Sequence, residues 1–258
     1  MSAHSASSEE LAATPATSTS PVAGVLWVTT SVMKPEIKSQ LLDDWYDEHK
    51  TDVLDCAGNG GLFLRYKNLD KSITSHADPK FSDRFAPTAS VKNIADAGWP
   101  YLALVKLSDL DWLTSKQFID MPRVSKQLPL ESDGSIGSAF SNFHAALRSY
   151  RTIKYSTDIT PGEKAAQYIL SIQSEATDDA TWDALDKKYT ALPGFRRAIK
   201  YQNVDGLLEY QEPGQLPKTL VLYEYDGEQA PTLDDTSRQV RTDIWEFTHA
   251  WGDLNLSL

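Results

Sequence analysis

Apolar residues recur with two different spacings along the chain, and the change of spacing predicts the first elements. The run Gly24–Thr30 is apolar and β-branched, which predicts a strand. Pro35 and Glu36 then suit the first turn of a helix, and apolar residues follow at helical spacing as far as Val53. We therefore predict a strand followed by a helix that ends before the turn Asn59-Gly60-Gly61.

The next segments continue this alternation of strands and helices. A long polar connection over residues 71–100 separates the second predicted strand from the third. The further predicted elements are strands at 62–68, 101–107 and 147–155 and a helix near 110–121. The order β-α-β-β-α-β is that of a ferredoxin-like unit, an antiparallel sheet with helices on one face.

The same order returns in the second part of the chain. The predicted elements there are strands at 168–174, 195–203, 216–225 and 242–248 and helices at 178–192 and 233–240. Trp45 matches Trp182, and the triplet 66–68 matches 201–203, as expected after a duplication. We predict two related halves, 24–156 and 166–258, joined by a linker at 157–165.

Several predicted strands are apolar on both faces, as at 26–28, 101–107 and 220–225. Helices cover one face of a ferredoxin-like sheet, so the second apolar face needs another cover. Packing the two halves sheet to sheet covers this second apolar face. We therefore predict an α+β fold, an intrachain α+β barrel of two tandem ferredoxin-like halves, with an interior that holds a ligand.

Charge and composition exclude several classes of partner. The 258 residues carry a formal net charge of −11, which disfavours nucleic acid and anionic membranes as partners. The single cysteine, Cys56, excludes a disulfide framework and a multi-thiolate metal site. Residues 1–23 are rich in Ser, Ala, Thr and Pro without the apolar run of a secretory signal, which predicts a disordered tail and a cytoplasmic protein. We expect a monomer or homodimer.

The first predicted helix carries a motif that resembles a known family. The fungal EthD-like group of the dimeric α+β barrel superfamily has a helix signature similar to W-Y-x-x-H-x-x-D-V. The matching residues here are Trp45, Tyr46, His49, Asp52 and Val53. The resemblance implies the barrel fold and an enzyme of secondary metabolism, since relatives include polyketide cyclases, decarboxylases, lactone isomerases and oxygenases. Asp186 stands where His49 would recur, so only the first half is expected to hold the active site.

His49 is the leading candidate for catalysis. It shares the apolar stripe of the helix with Trp45 and Val53, and an imidazole titrates near neutral pH, as a general acid or base requires. Asp52 is placed to orient it. The Tyr46 hydroxyl is a candidate donor to a substrate carbonyl, and the alternative is that Tyr46 is an amphipathic side chain at the flank of the helix. The alternative is that His49 is a core histidine bonded to a backbone carbonyl.

The remaining candidates concern substrate binding. Arg148 and Tyr150 point the same way from one strand and suit a phenolate or carboxylate at the barrel mouth, the alternative being a solvent-facing strand edge. Residues 71–100 are long enough to serve as a lid over the barrel mouth, the alternative being a mobile surface loop. The predicted substrate-binding residues are Trp45, Tyr66, Trp99, Arg148, Tyr150 and His249.

Three functions remain open on the sequence. The histidines show no metal-ligand spacing and no nucleotide-binding motif is present, so we predict neither a metal nor a cofactor. The favoured function is a cofactor-independent enzyme that cyclises, isomerises or decarboxylates an aromatic or polyketide-like substrate by acid/base catalysis in the barrel cavity. The alternatives are a non-catalytic small-molecule-binding barrel and a haem-dependent oxygenase.

Overall fold

A computed structural model describes most of the two predicted halves. The described residues are 21–56, 61–71, 73–75, 99–155, 164–174, 179–204, 217–232 and 240–253. The predicted tail as far as residue 20, most of the predicted linker, most of the 71–100 connection and nearly all of the predicted helix at 233–240 lie outside them.

The described part of the first half contains four long strands and one long helix. Strand β1 (Gly24–Val32) leads to helix α1 (Gln40–Cys56), and β2 (Leu62–Asn68) and β3 (Tyr101–Leu107) follow. Between β3 and the last strand lies an excursion of short elements, which we call the β3–β6 excursion. Its elements are a 3₁₀ helix (Leu110–Thr114), α2 (Lys116–Ile119), β4 (Val124–Ser125), β5 (Gly137–Ser138) and α3 (Ala139–Asn142). Strand β6 (Phe143–Tyr155) completes the half.

The second half repeats the strand pattern. Strand β7 (Tyr168–Ser174) leads to helix α4 (Asp179–Tyr189), and β8 (Phe195–Asn203), β9 (Thr219–Tyr225) and β10 (Val240–Gly252) follow. The predicted strands and the two long helices are therefore present, with shifts at their ends. Val240, placed at the end of a predicted helix, begins β10 instead.

Two predicted helices differ from the structure for identifiable reasons. The first does not begin at Pro35, because residues 34–37 form a separate turn in which the Ile37 amide donates to the Lys34 carbonyl at 3.1 Å. The helix predicted near 110–121 is broken at Ser115, whose backbone is extended. The Ser115 hydroxyl accepts from the Phe118 amide at 3.2 Å, so it caps a new short helix rather than continuing the old one.

The eight long strands form a closed antiparallel barrel in the order β1-β3-β2-β10-β7-β9-β8-β6. Within each half the order is fourth-first-third-second, that of a ferredoxin-like sheet. The halves meet along two seams, β2 with β10 and β6 with β8. The predicted barrel of two tandem ferredoxin-like halves is thus confirmed, and strand pairing as well as side-chain packing closes it.

Three apolar layers follow from the alternation of side chains on these strands. One cluster fills the barrel interior and includes Trp27, Leu104 and Trp245. A second lies between the first-half strands and α1, and a third between the second-half strands and α4. The outer layer under α1 contains the pocket described next.

Candidate functional site

A pocket lies on the outside of the barrel, between α1 and the first-half strands. It encloses about 680 Å³ of empty space, part of which is open to solvent. The lining residues are mostly apolar or aromatic: Leu26, Val28, Thr30, Trp45, Tyr46, His49, Val53, Phe63, Ala103, Val105, Arg123, Ala139, Phe140, Phe143, Ala145 and Leu147. The predicted location in the barrel cavity is therefore wrong for His49 and its helical neighbours, since α1 covers the outer face of the sheet.

His49 projects from α1 into this pocket and is held on two sides. Its ring stacks on Trp45, with ring centroids 4.5 Å apart and planes 18° from parallel. Its Nδ1 lies 3.3 Å from Oδ2 of Asp52, and its side chain is 11% exposed. The alternative of a core histidine bonded to a backbone carbonyl receives no support from these contacts.

Burial sets the protonation state of His49. Loss of solvent lowers the pKa of the imidazole below its ordinary value of 6.5. The Asp52 carboxylate opposes this shift, and the Arg123 guanidinium adds to it. The imidazole is therefore neutral at neutral pH. We assign its proton to Nδ1, facing Asp52, which leaves Nε2 as a hydrogen-bond acceptor.

Tyr46 lies beside His49 as a hydroxyl that keeps its proton. Burial raises the pKa of Tyr46, although the charge of Arg65 and the hydroxyl of Thr30 work against that shift. Arg65 lies over the Tyr46 ring at 4.3 Å and donates to the Asp43 carboxylate at 2.6 Å. Tyr46 is thus a hydrogen-bond donor in the pocket wall. Arg65 is the buried residue that supports the Tyr46 ring, and sequence reasoning did not predict it.

Arg123 also lines the pocket, and sequence reasoning did not predict it. Its Nη1 donates to the carbonyl of Met121 at 2.5 Å and of Ile119 at 3.2 Å, and its Nη2 to that of Phe118 at 2.9 Å. These carbonyls belong to α2 and the turn after it. No motif could have identified Arg123, because the β3–β6 excursion carries no long periodic pattern.

Four predicted substrate-binding residues lie elsewhere, in the barrel interior. Tyr66, Trp99 and Tyr150 belong to the interior cluster, and Arg148 is fully buried with its Nη1 donating to Oε1 of Gln173 at 2.9 Å. On β6 the residues that line the pocket are instead the outward-facing Ala145 and Leu147. The structure therefore separates these four residues from His49 by the wall of the barrel.

His249 lies on the exposed end of an aromatic row. Its ring stacks on Trp251 at 5.3 Å, and Trp251 in turn packs against Phe63 at 5.6 Å. Phe63 lines the pocket, but His249 does not. His249 faces away from the barrel interior, because a shift of register between Phe247 and His249 changes which residues of β10 face inward.

The corresponding surface of the second half has a different character. Trp182 occupies the place of Trp45, with Lys200 Nζ over its ring at 4.8 Å. Asp186, the counterpart of His49, accepts a hydrogen bond from the Tyr223 hydroxyl at 2.5 Å. The Tyr223 hydroxyl thus binds this carboxylate, so Asp186 and His49 differ in their contacts. That only the first half holds an active site stays a prediction.

Neither a metal centre nor a membrane-spanning helix is found among the described residues. Within the ranges that the structure covers, no three His, Cys, Asp or Glu side chains are grouped as ligands for a metal ion. In that same part of the chain, no helix has both the length and the apolar character needed to cross a membrane.

Comparisons with known proteins show distant similarity to a fungal protein and to solved structures. No family model matches the chain. The chain is 23% identical over 250 residues to core atranone cluster (CAC) protein 1 of Stachybotrys chlorohalonatus, covering 90% of this chain and 92% of that protein. A putative monooxygenase from Fusobacterium nucleatum has a TM-score of 0.41 and 6% identity, covering 89% of this chain and 94% of its own. A chlorite dismutase variant from Candidatus Nitrospira defluvii has a TM-score of 0.45 and 11% identity, covering 90% and 93%.

Proposed function

We propose that the chain is an enzyme of secondary metabolism that cyclises, isomerises or decarboxylates an aromatic or polyketide-like substrate by acid/base catalysis, without a cofactor. The observation that carries this proposal is the His49–Asp52 pair, which presents a neutral imidazole to an apolar pocket. The helix signature at Trp45–Val53 supports EthD-like ancestry. The similarity to a protein named for the atranone cluster supports secondary metabolism.

His49 acts as the general base in this mechanism. Its Nε2 takes a proton from an acidic carbon or hydroxyl of the substrate, and Asp52 stabilises the imidazolium that forms. The Trp45 ring fixes the plane of the imidazole through the 4.5 Å stack. Because burial already lowers the pKa of His49, the base is free of a proton at neutral pH.

Tyr46 supplies the complementary acid function. Its hydroxyl keeps its proton and donates to the substrate oxygen on which negative charge develops. The aromatic and aliphatic walls exclude water from the reacting atoms and favour a flat, conjugated substrate. An enolate is the intermediate shared by the three reactions: proton transfer from carbon to His49 forms it in cyclisation and isomerisation, and loss of CO2 forms it in decarboxylation.

A complementation experiment tests the function even while the substrate is unidentified. The encoding gene is deleted in its host, and the deletion strain receives wild type, His49→Gln or the matched control Asp186→Asn. We expect the deletion strain and the His49→Gln strain to accumulate the same precursor, and the other two strains to make the product.

Two results would contradict the proposal. A folded His49→Gln protein that restores the product removes His49 from the mechanism. A deletion strain with an unchanged metabolite profile removes the role in secondary metabolism. Recovery of an unchanged small molecule bound to the purified protein, without turnover, would favour the non-catalytic barrel instead.

A further inference from the structure

Two alanines lie on the floor of the pocket, among strand residues that are otherwise larger. Ala103 belongs to β3 and Ala145 to β6, and both line the pocket. The other strand residues that line it are Leu26, Val28, Thr30, Phe63, Val105, Phe143 and Leu147. Side chains stand roughly perpendicular to a sheet, and that of alanine ends at Cβ. The floor is therefore recessed at these two positions.

Strand pairing places both alanines next to residues that act on Tyr46. Ala103 stands directly opposite Arg65 on β2, and the Arg65 guanidinium lies over the Tyr46 ring at 4.3 Å. Ala145 stands directly opposite Thr30 on β1, whose hydroxyl is close enough to Tyr46 to influence its pKa. Side chains directly opposite one another on paired strands are about 5 Å apart. The recess therefore lies beside Tyr46, the acid group of the proposed mechanism.

The second half has valine at both equivalent positions. The two halves can be aligned at the repeated Tyr-x-Asn of β2 and β8, and strand pairing extends the alignment to the neighbouring strands. The counterpart of Ala103 is Val221, and that of Ala145 is Val240. Alanine thus occupies these two positions in the half whose helix carries His49, and a larger residue type occupies them in the other half.

We propose that Ala103 and Ala145 determine which edge of the substrate reaches Tyr46. The substrate is then a planar ring compound whose reacting oxygen lies on an edge without bulky neighbouring substituents, and its larger substituents lie toward the opening of the pocket. This inference rests on the proposed function, because it assumes that the pocket under α1 is the substrate site. It adds the orientation of the substrate, whose oxygen-bearing edge lies over the two alanines.

Two isomeric naphthols test this orientation on the wild-type protein. In 3-methyl-2-naphthol the methyl group is next to the oxygen, and in 6-methyl-2-naphthol it is at the far end of the ring system. The isomers have the same formula and similar hydrophobicity, so a difference in affinity reports the shape of the site. Calorimetric titration should give an affinity for the 6-methyl isomer about tenfold or more above that for the 3-methyl isomer, since overlap with a packed wall is costly.

Substitution of the alanines should fill the recess from the protein side. Ala103→Val and Ala145→Val should each weaken binding of the 6-methyl isomer about tenfold or more. Valine suits a strand, so both variants are expected to fold. The matched control is Ala146→Val, at the next residue of β6, whose side chain belongs to the cluster in the barrel interior. A folded Ala146→Val protein should bind the 6-methyl isomer within about twofold of wild type.

Tyr46→Phe tests whether the recess brings the ligand oxygen to the Tyr46 hydroxyl. In wild type, loss of this hydrogen bond should weaken binding of the 6-methyl isomer about fivefold. In Ala145→Val the oxygen no longer reaches the hydroxyl, so adding Tyr46→Phe should change the affinity by less than about twofold. An effect of Tyr46→Phe that is equal in the two backgrounds overturns the proposed orientation.

A further variant keeps the test open if the valine variants fail to fold. Ala145→Gly enlarges the recess, so it should raise the affinity for the 3-methyl isomer relative to that for the 6-methyl isomer. An unchanged ratio of the two affinities in folded Ala145→Gly would remove Ala145 from the selection of the substrate.

The possible failures are distinguishable. Equal affinity of wild type for the two isomers, or undiminished binding by the folded valine variants, overturns the role of the alanines and leaves the acid/base function standing. Absence of binding of both isomers to folded wild type at millimolar concentration overturns the pocket as the substrate site, and with it both proposals. Product formation by His49→Gln in the complementation experiment overturns the proposed acid/base function and does not alter the affinities on which the role of the alanines depends.

Discussion

The Asp52 carboxylate lies 3.3 Å from Nδ1 of His49, one turn further along α1. Asp52 is 39% exposed whereas His49 is 11% exposed, so the pair spans the boundary between solvent and pocket. Solvent stabilises the carboxylate in its charged form, and the carboxylate in turn holds the buried imidazole in one tautomer. This relationship determines how the site responds to substitution and to pH.

Asp52→Asn should lower the rate and move its pH dependence. The carboxylate raises the pKa of His49 against the effect of burial, so its removal lowers that pKa further. We expect kcat/KM to fall about tenfold or more, from loss of orientation and imidazolium stabilisation, and the acid limb of its pH profile to move to lower pH. A limb that stays in place would show that His49 is not the titrating base.

The free energy of unfolding should depend on pH because His49 titrates differently in the folded and unfolded states. The pKa of His49 is depressed in the folded state, so the unfolded chain binds the extra proton first as the pH falls. The contribution of neutral His49 is present above pH 6.5 and is lost as the pH falls from there through the folded pKa. Urea unfolding from pH 8 to 5 should therefore show a steeper loss of stability in wild type than in His49→Gln. Parallel pH dependences of stability in wild type and His49→Gln would contradict this prediction.

Loss of Asp43 and loss of Arg65 should lower the stability of the fold by different amounts, although the two residues form one ion pair. Arg65 is 2% exposed whereas Asp43 is 38% exposed. Asp43→Asn leaves a buried guanidinium without its carboxylate, which we expect to cost about 3 kcal/mol. Arg65→Met leaves a carboxylate that water can solvate. Its cost should be about 1 kcal/mol smaller than that of Asp43→Asn. Denaturant melts of the two variants measure this order, and the reverse order would contradict it.

The buried Arg197–Glu224 pair in the barrel interior predicts a coupled effect. Its two hydrogen bonds are 2.7 Å and 3.0 Å long, and burial together with the charge of Glu224 raises the pKa of nearby Tyr66. Glu224→Gln should destabilise the barrel by about 3 kcal/mol or more, since it strands a buried cation. Adding Arg197→Met should recover part of that loss in thermal melts, and a purely additive double variant would rule out the coupling.

Substitution of Arg148 should affect the fold and not the pocket. Its guanidinium bonds to Gln173 inside the barrel, on the opposite side of the sheet from His49. Arg148→Met should lower Tm, while the folded variant still restores the product in the deletion strain, as for well-separated sites. A folded variant that fails to restore the product would return Arg148 to the substrate site.

The sequence was sufficient for the topology because the period of the apolar residues differs between strands and helices. The same period predicted α1 and the helical face shared by Trp45, His49 and Val53, which lines the pocket. Alternation along β6 shows that Arg148 and Tyr150 share a face. The alternation cannot show which face of a strand lies inside the barrel when both faces are apolar. Arg123 was unpredictable for another reason, since backbone carbonyls at irregular positions orient it.

The two seams of the barrel, β2 with β10 and β6 with β8, join parts of one polypeptide. In a barrel built from two identical subunits, every change in one active site would be copied into the other by symmetry. Covalent linkage removes that constraint, so His49 and Asp186 can stand at equivalent places with different chemistry. Covalent linkage also makes assembly of the barrel independent of protein concentration, because the tether keeps the second sheet at a high local concentration. One half can then specialise in catalysis while the other is selected for stability.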